Sequence, residues 1–105
     1  MKRYVLTPPA ERDLDQIKQY LVRRAGARIA RRVMSEIRRA ILLLSSEPGI
    51  GHVREDFTGR PVKFWPIYSY LIVYDPATKP LEIIRIVHGA QGLEVMLAGG
   101  ATQRD

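Results

Sequence analysis

The sequence lacks cysteine and has no apolar run of the roughly 18 residues that a membrane-spanning helix requires. The absence of cysteine excludes disulfide frameworks, thiolate catalysis and cysteine-based zinc sites. The two histidines, His52 and His88, lie far apart in the chain, so we expect neither a metal site nor a cofactor. The first residues carry charge but only a short apolar stretch before two prolines, which is not the pattern of a signal peptide. We therefore expect a cytoplasmic protein without membrane association.

The sequence is long enough for one hydrophobic core, and it carries an excess of positive charge. With 105 residues, of which 46% are hydrophobic, we expect a single folded domain over residues 1–105. Seventeen lysines and arginines against eleven acidic residues give a formal net charge of +6. Such an excess favours partners that carry phosphate or acidic side chains through long-range attraction, without defining which partner binds.

The first half of the sequence predicts a short strand followed by two helices. Residues 4–6 read as a strand, and Thr7 before two prolines is a suitable N-cap for a helix that runs to about Arg23. Gly26 then ends that helix, and the next one continues to about Ser45. Because so short a break joins them, we expect an antiparallel hairpin. Each helix shows one apolar stripe at helical spacing, at Ala10, Leu14, Ile17 and Leu21 in the first and at Ala30, Val33, Met34, Ile37, Ile41 and Leu44 in the second.

The second half predicts a three-stranded antiparallel meander packed on the helices. Residues 62–65, 68–74 and 81–88 are rich in β-branched and aromatic side chains, and their connections at 66–67 and 75–80 are too short for parallel crossovers. We expect a loop over 50–60, a short helix or tail over 89–97 and a flexible end over 98–105. The resulting class is α+β.

Alternation within the strands predicts which side chains share a face. In the last strand it places Ile84 and Ile86 on one face, and in the middle strand it places three tyrosines, Tyr68, Tyr70 and Tyr74, on the same face. Both faces of the last strand are largely apolar, which is typical of a central strand, and Arg85 is its charged exception. We expect Arg85 either to pair with Glu82, Asp75 or Glu55 within the fold or to contact a partner.

Two segments of this sequence resemble the RelE/ParE superfamily of toxins from type II toxin–antitoxin systems. Residues 4–17 read YVLTPPAERDLDQI and residues 84–94 read IRIVHGAQGLE. The first is similar to the aromatic–apolar–Thr–Pro start and the "Ala-x-x-Asp-Leu-x-x-Ile" helix of the ParE branch, and the second to its "Arg-x-x-His-Gly-x-x-Asp" ending. Gly92 stands where that ending has aspartate. The resemblance covers about residues 2–97 and implies the RelE/ParE fold.

The resemblance also implies a function and partners. A ParE-like toxin inhibits DNA gyrase by binding and is neutralised by a cognate ParD-like antitoxin, a ribbon-helix-helix protein whose acidic segment wraps the toxin in a hetero-oligomer. Two alternatives remain. RelE-like relatives cut messenger RNA on the ribosome, and a chain that departs from the family pattern at Gly92 is consistent with a module that binds antitoxin but has lost toxicity.

Candidate catalytic residues follow from what metal-free RNA cleavage requires. The reaction needs a base for the 2′-hydroxyl, an acid for the leaving oxygen and cations around the phosphorane. The sequence offers Lys63, Arg85 and His88 for these roles, with Arg60 as a fourth candidate. No tyrosine follows Tyr74, and the set is sparse, so we expect binding and not catalysis, with a metal-independent endoribonuclease as the enzyme alternative.

Candidate partner-binding residues are concentrated on the second helix. Five arginines fall in an arc of roughly 120° opposite the apolar stripe, and two leucines lie on the same side near the end of the helix, where the loop or a partner would cover them. A solvated face opposite a buried one is the ordinary explanation of these arginines, and an electrostatic surface for an acidic antitoxin or for nucleic acid is the alternative. With Tyr70, whose ring is a candidate for stacking on bases, and Arg85, the partner-binding set is Arg28, Arg31, Arg32, Arg38, Arg39, Leu42, Leu43, Tyr70 and Arg85.

Overall fold

A computed structural model describes residues 3–53 and 62–88. The expected α+β order is confirmed. In chain order the elements are β1 (Tyr4–Leu6), α1 (Pro8–Ala25), α2 (Ala27–Ser46), a 3₁₀ turn (Pro48–Ile50), β2 (His52–Val53), β3 (Lys63–Ile67), β4 (Tyr70–Asp75) and β5 (Leu81–His88). The expected terminal helix, the flexible end, and Arg60, Glu55 and Gly92 lie outside the described residues. No helix in the described part is long and apolar enough to span a bilayer.

The start of α1 is fixed by its capping residue. The Thr7 hydroxyl accepts a hydrogen bond from the Ala10 amide at 3.2 Å, as predicted, and donates one to the Ile84 carbonyl at 2.8 Å. One side chain therefore both begins the helix and holds it to β5. The helix runs to Ala25, two residues beyond the expected end, and only Gly26, with a φ of +93°, separates it from α2. That backbone conformation favours glycine.

The strands described form one sheet in the order β1-β5-β4-β3-β2. The predicted meander of β3, β4 and β5 is antiparallel, and β1 adds to β5 in parallel, with Leu6 opposite Ile83. Residues 50–60 were predicted to be loop throughout, but β2 lies within that range and pairs with the start of β3. The 3₁₀ turn ends at Ile50, the first residue of that range, and residues 54–61 are not among the described residues.

The turn between β3 and β4 was predicted at residues 66–67, and this was wrong. Pro66 and Ile67 belong to β3 and pair with Leu71 and Tyr70, so the turn falls at Tyr68 and Ser69. Because β2 covers only the first part of β3, Pro66 occupies an edge position where its missing N–H costs no ladder hydrogen bond. Tyr68 consequently leaves the predicted shared face of tyrosines and adopts a φ of +54°.

A bulge in β5 changes the predicted alternation. Val73 pairs with Arg85 and Tyr74 pairs with Ile83, so Ile84 is an extra residue without a counterpart on β4. Ile83 and Ile86 therefore pack in the core beneath the helices, and Ile84 packs on the opposite side of the sheet. Strict alternation predicted that Ile84 and Ile86 share a face, and this was wrong because the extra residue shifts the alternation.

Two apolar layers cover the sheet. The larger lies between the sheet and the helical hairpin and includes Ile37, Ile41, Ile72 and Tyr74 with no exposed surface. The smaller, on the other side of the sheet, consists of Val62, Phe64, Val73 and Val87 with Leu71 and Ile84 against them. β5 is thus covered on both sides, as its apolar sequence predicted.

Candidate functional site

Arg85 is paired inside the fold, with a carboxylate that sequence reasoning did not name. Its Nε donates to Asp13 Oδ2 at 2.7 Å and its terminal NH2 group donates to Oδ1 at 3.0 Å. The carboxylate comes from α1 and is neither Glu82 nor Asp75, the two expected candidates among the described residues. The hydrogen bonds that Arg85 donates to Asp13 raise the pKa of Arg85, and burial offsets part of this effect. The bidentate geometry is the strong form of an arginine–carboxylate contact.

Asp13 also completes the edge of β5. Its Oδ2 accepts the Ile86 amide at 2.9 Å, and its side chain is only 12% exposed. Since β1 pairs only with residues 81–83, no strand within residues 3–53 and 62–88 lies beside the following part of β5 on the side opposite β4. There the Thr7 hydroxyl donates to the Ile84 carbonyl and the Asp13 carboxylate accepts from the Ile86 amide. These two side chains therefore supply hydrogen bonds that a neighbouring strand would otherwise supply.

A cleft of about 460 Å³ opens beyond this pair, where α1 and the end of β5 diverge. One wall comes from the helix and the other from β4 and β5. The residues that line it are Asp13, Gln16, Ile17, Tyr20, Tyr70, Arg85, Ile86, Val87 and His88. Two predicted site residues of β5, Arg85 and His88, thus share one cavity.

His88 lies at the mouth of the cleft and is exposed. Its Nε2 is 3.2 Å from the Ser69 hydroxyl, and its ring centroid is 5.1 Å from that of Tyr70 in a tilted arrangement. Tyr70 itself is a core residue, only 6% exposed, and burial raises the pKa of its phenol. Because most of the Tyr70 ring is buried in the core, little of its surface is available to stack on a base.

Lys63 is not brought to the cleft. Its Nζ donates to the Gly51 carbonyl at 3.4 Å, beside the Tyr74 hydroxyl, which donates to the Pro48 carbonyl and accepts the Gly51 amide. The catalytic candidates therefore divide between two places, with Arg85 and His88 in one and Lys63 in the other. Among residues 3–53 and 62–88, no cluster of three or more His, Asp or Glu side chains could hold a metal ion.

The outer face of α2 carries the predicted cations in solvent. Its arginines are exposed, and the one ion pair on this helix within the described residues joins Arg32 to Glu36 at 3.8 Å. Glu36 also accepts a hydrogen bond of 2.7 Å from the Tyr68 hydroxyl, which raises the pKa of Tyr68. Leu42 and Leu43 are 43% and 41% exposed, so the part of the chain that the structure describes leaves them largely uncovered. We name the surface formed by Arg28, Arg31, Arg32, Arg38, Arg39, Leu42 and Leu43 the arginine face.

Sequence reasoning missed Asp13, Gln16 and Tyr20, although the spacing contains a signal for Asp13. It lies three residues after Ala10 and four before Ile17, both of them buried, so a carboxylate there borders the apolar stripe. A polar residue in that position requires a partner from the sheet. Tyr20 follows Ile17 by three residues and, at 44% exposure, forms the outer wall of the cleft.

Comparisons with known proteins agree with this architecture. The model of the ParE toxin family of type II toxin–antitoxin systems, parDE, matches residues 4–93. A solved structure of a chromosomal ParDE toxin–antitoxin system from P. aeruginosa superposes with a TM-score of 0.68 at 22% sequence identity, covering 85% of this chain and 97% of that one. No curated protein matches in sequence. The structural similarity concerns the fold, whereas the family match extends over most of the sequence, and the chain therefore belongs to the ParE toxin family of type II toxin–antitoxin systems.

Proposed function

We propose that this ParE-type toxin acts by binding DNA gyrase and does not cleave RNA. The separation of the catalytic candidates is the observation that supports it. Lys63 donates to Gly51, on a different part of the sheet from the cleft that Arg85 and His88 line. Arg85 is further held in a bidentate contact with Asp13, a carboxylate that neutralises the charge a phosphorane would need. Inhibition by binding requires no such assembly of acid, base and cation.

Two assays run side by side test this proposal. Purified toxin is added to a gyrase supercoiling reaction and to a cell-free translation reaction at the same concentrations. We expect supercoiling to stop while translation continues. The matched variant is His88→Gln, which removes the candidate acid or base at an exposed position, and we expect it to inhibit gyrase within about twofold of the wild type.

The contrary outcomes separate the rival functions. If translation stops, supercoiling continues and His88→Gln restores translation, the toxin is a ribosome-dependent endonuclease and the gyrase proposal is wrong. If neither reaction is inhibited by a toxin that still binds its antitoxin, the chain is a binding module without toxicity.

We further propose that the arginine face receives an acidic segment of the cognate antitoxin. Glu36 is the one acidic residue among the cations of α2. Arg28 is followed at helical spacing by Arg31 and Arg32, so these positive charges repel one another. Exposed leucines at the end of the face favour a protein over a nucleic acid, because a phosphate backbone offers no apolar surface for Leu42 and Leu43.

Affinity measured against salt concentration tests the role of the arginine face. The double change Arg31→Gln with Arg38→Gln should weaken binding of the purified antitoxin about tenfold at low salt and make the affinity less dependent on salt. The double change Arg12→Gln with Lys18→Gln, at exposed cations on α1, removes the same amount of charge, so it is the control and should have little effect. Equal losses for the double variant and the control would show that only net charge matters.

A further inference from the structure

Among the residues that the structure describes, no strand pairs with the edge of β5 beyond Asp13. The Ile86 amide points away from β4, toward α1, where Asp13 accepts its hydrogen bond. Backbone groups of alternate strand residues point to the same edge, so the Ile86 carbonyl and the His88 amide face this side as well. β1 has already ended opposite Ile83, and within residues 3–53 and 62–88 neither group has a hydrogen-bond partner.

The cleft lies directly against this open edge. Its floor is formed by Ile17 and Tyr70, and its outer wall is the half-exposed ring of Tyr20. A volume of about 460 Å³ accommodates one large apolar or aromatic side chain with part of its backbone. An unpaired strand edge beside an apolar cavity is the arrangement by which a sheet receives an extended peptide, with main-chain hydrogen bonds along the edge and a side chain in the cavity.

Charges around the cleft indicate what flanks that side chain. The Asp13 carboxylate is already satisfied by Arg85 and the Ile86 amide. The Arg24 guanidinium lies 5.5 Å from the centre of the Tyr20 ring, and the Arg85 side chain is 35% exposed. The accessible charges at the rim are therefore cationic, which favours a segment with a carboxylate next to its apolar residue.

We infer that an extended segment of the antitoxin pairs with β5 along Ile86–His88 and inserts an apolar or aromatic side chain into the cleft between Tyr20 and Tyr70. This inference rests on the proposed function for the identity of the partner. The contact is separate from the arginine face, since it uses α1 and β5 instead of α2.

Paired substitutions on α1 test the cavity. Tyr20→Ala removes the outer wall and should weaken antitoxin binding at least tenfold, as expected for an aromatic residue at the centre of a contact. Val22→Ala is the matched control, because Val22 is 41% exposed on the same helix but does not line the cleft. We expect a change below twofold for the control. Gln16→Trp, which adds bulk to the cleft from an exposed helix position, should weaken binding about as much as Tyr20→Ala.

Hydrogen exchange on the full chain tests the strand pairing. The His88 amide should exchange at least tenfold more slowly in the antitoxin complex than in free toxin, because binding gives it an acceptor. Slow exchange in free toxin, unchanged by antitoxin, would mean that the toxin's own chain occupies the edge and would overturn the inference.

The outcomes distinguish failure of this inference from failure of the proposed function. If the antitoxin does not bind wild-type toxin, the proposal that an antitoxin is the partner of this chain fails, and this inference fails with it, whereas the gyrase proposal is judged separately by the supercoiling assay. If the antitoxin binds but Tyr20→Ala and Gln16→Trp leave its affinity unchanged, only the cleft assignment is wrong. Loss of gyrase inhibition in these variants with unchanged antitoxin affinity would assign the cleft to gyrase and overturn the antitoxin as its occupant.

Discussion

The two helices of the hairpin cover the same sheet but are attached to it differently. α1 is held by polar side chains as well as apolar ones, since Thr7 and Asp13 bond to the backbone of β5 and Asp13 also binds Arg85. α2 has no side-chain cap and no acidic residue in its first turn, and it contacts the sheet through a buried apolar face. α1 is therefore positioned by several partly buried polar contacts, whereas α2 depends mainly on burial, with one exposed hydrogen bond from Tyr68 to Glu36.

The variant with the largest expected effect on stability creates a cavity beneath α2. Ile37→Ala removes a side chain that has no exposed surface, and we expect the free energy of unfolding to fall by about 4 kcal/mol, since loss of burial adds to the cost of the cavity. Urea denaturation measures it. Ser35→Ala, exposed on the same helix, is the control and should change stability by less than about 0.5 kcal/mol. A loss near 1 kcal/mol for Ile37→Ala would show that apolar burial does not hold α2.

The polar attachment of α1 is tested at Asp13. Asp13→Ala leaves Arg85 and the Ile86 amide without their acceptor, and we expect a loss of about 2.5 kcal/mol, less than for a fully buried pair because the Arg85 side chain is 35% exposed. The measurement is again urea denaturation, with the exposed residue Asp15 changed to alanine as the control. Equal stabilities of the two variants would mean that apolar packing, and not the Asp13 contacts, holds α1 on the sheet.

How far the sequence predicts this region depends on the range of the interaction. The Thr7 cap was predicted because a cap acts within its own helix turn, and the Ala10–Leu21 stripe was predicted because helical spacing reports burial directly. The Asp13–Arg85 contact joins residues 72 positions apart, and local patterns do not indicate which of several carboxylates meets an arginine.

The same limit applies to the sheet and to the candidate site. The meander follows from short connections, but the bulge at Ile84 depends on how β5 meets β4 and α1 together, and it changes which side chains share a face. The cleft was missed for the same reason. Tyr20 on α1 and Tyr70 and His88 on the sheet form its walls only when the helical hairpin packs on the sheet. By contrast, the exposure of the arginine face follows from helical geometry alone.

A partly buried polar contact lies just beyond the end of α2, and pH tests its importance. The buried Tyr74 hydroxyl binds Pro48 and Gly51 just beyond the helix, and a Cβ on Gly51 would clash with it. Burial raises the pKa of Tyr74 above the ordinary value of 10.0. The folded state therefore resists ionisation, and the stability that Tyr74 provides is complete below about pH 10 and is lost as the pH rises through the folded-state pKa.

Removing the Tyr74 hydroxyl should reduce this alkaline sensitivity. Tyr74→Phe should lower the free energy of unfolding by about 1.5 kcal/mol at pH 7, because two backbone groups lose a partner. Between pH 9.5 and 11.5 it should then lose less stability than the wild type. Tyr20→Phe, at an exposed phenol, provides the control and should follow the wild-type curve. Parallel curves for Tyr74→Phe and the wild type would assign the alkaline loss to other groups, with Tyr70 the next to test.

The smallest expected effect concerns the first turn of α2, where the comparison predicts a gain. Arg28 lies at the positive end of the helix dipole, and it is spaced to repel Arg31 and Arg32. Arg28→Glu should therefore raise the free energy of unfolding of the isolated toxin by about 0.5 kcal/mol, and Arg28→Gln by less. The gain should shrink in 1 M NaCl, where charges on the surface are screened. The same substitution should weaken antitoxin binding, because it places a carboxylate on the arginine face. A variant that becomes less stable would show that Arg28 contributes to the fold of the toxin. A variant that binds antitoxin more tightly would show that no acidic segment contacts this position.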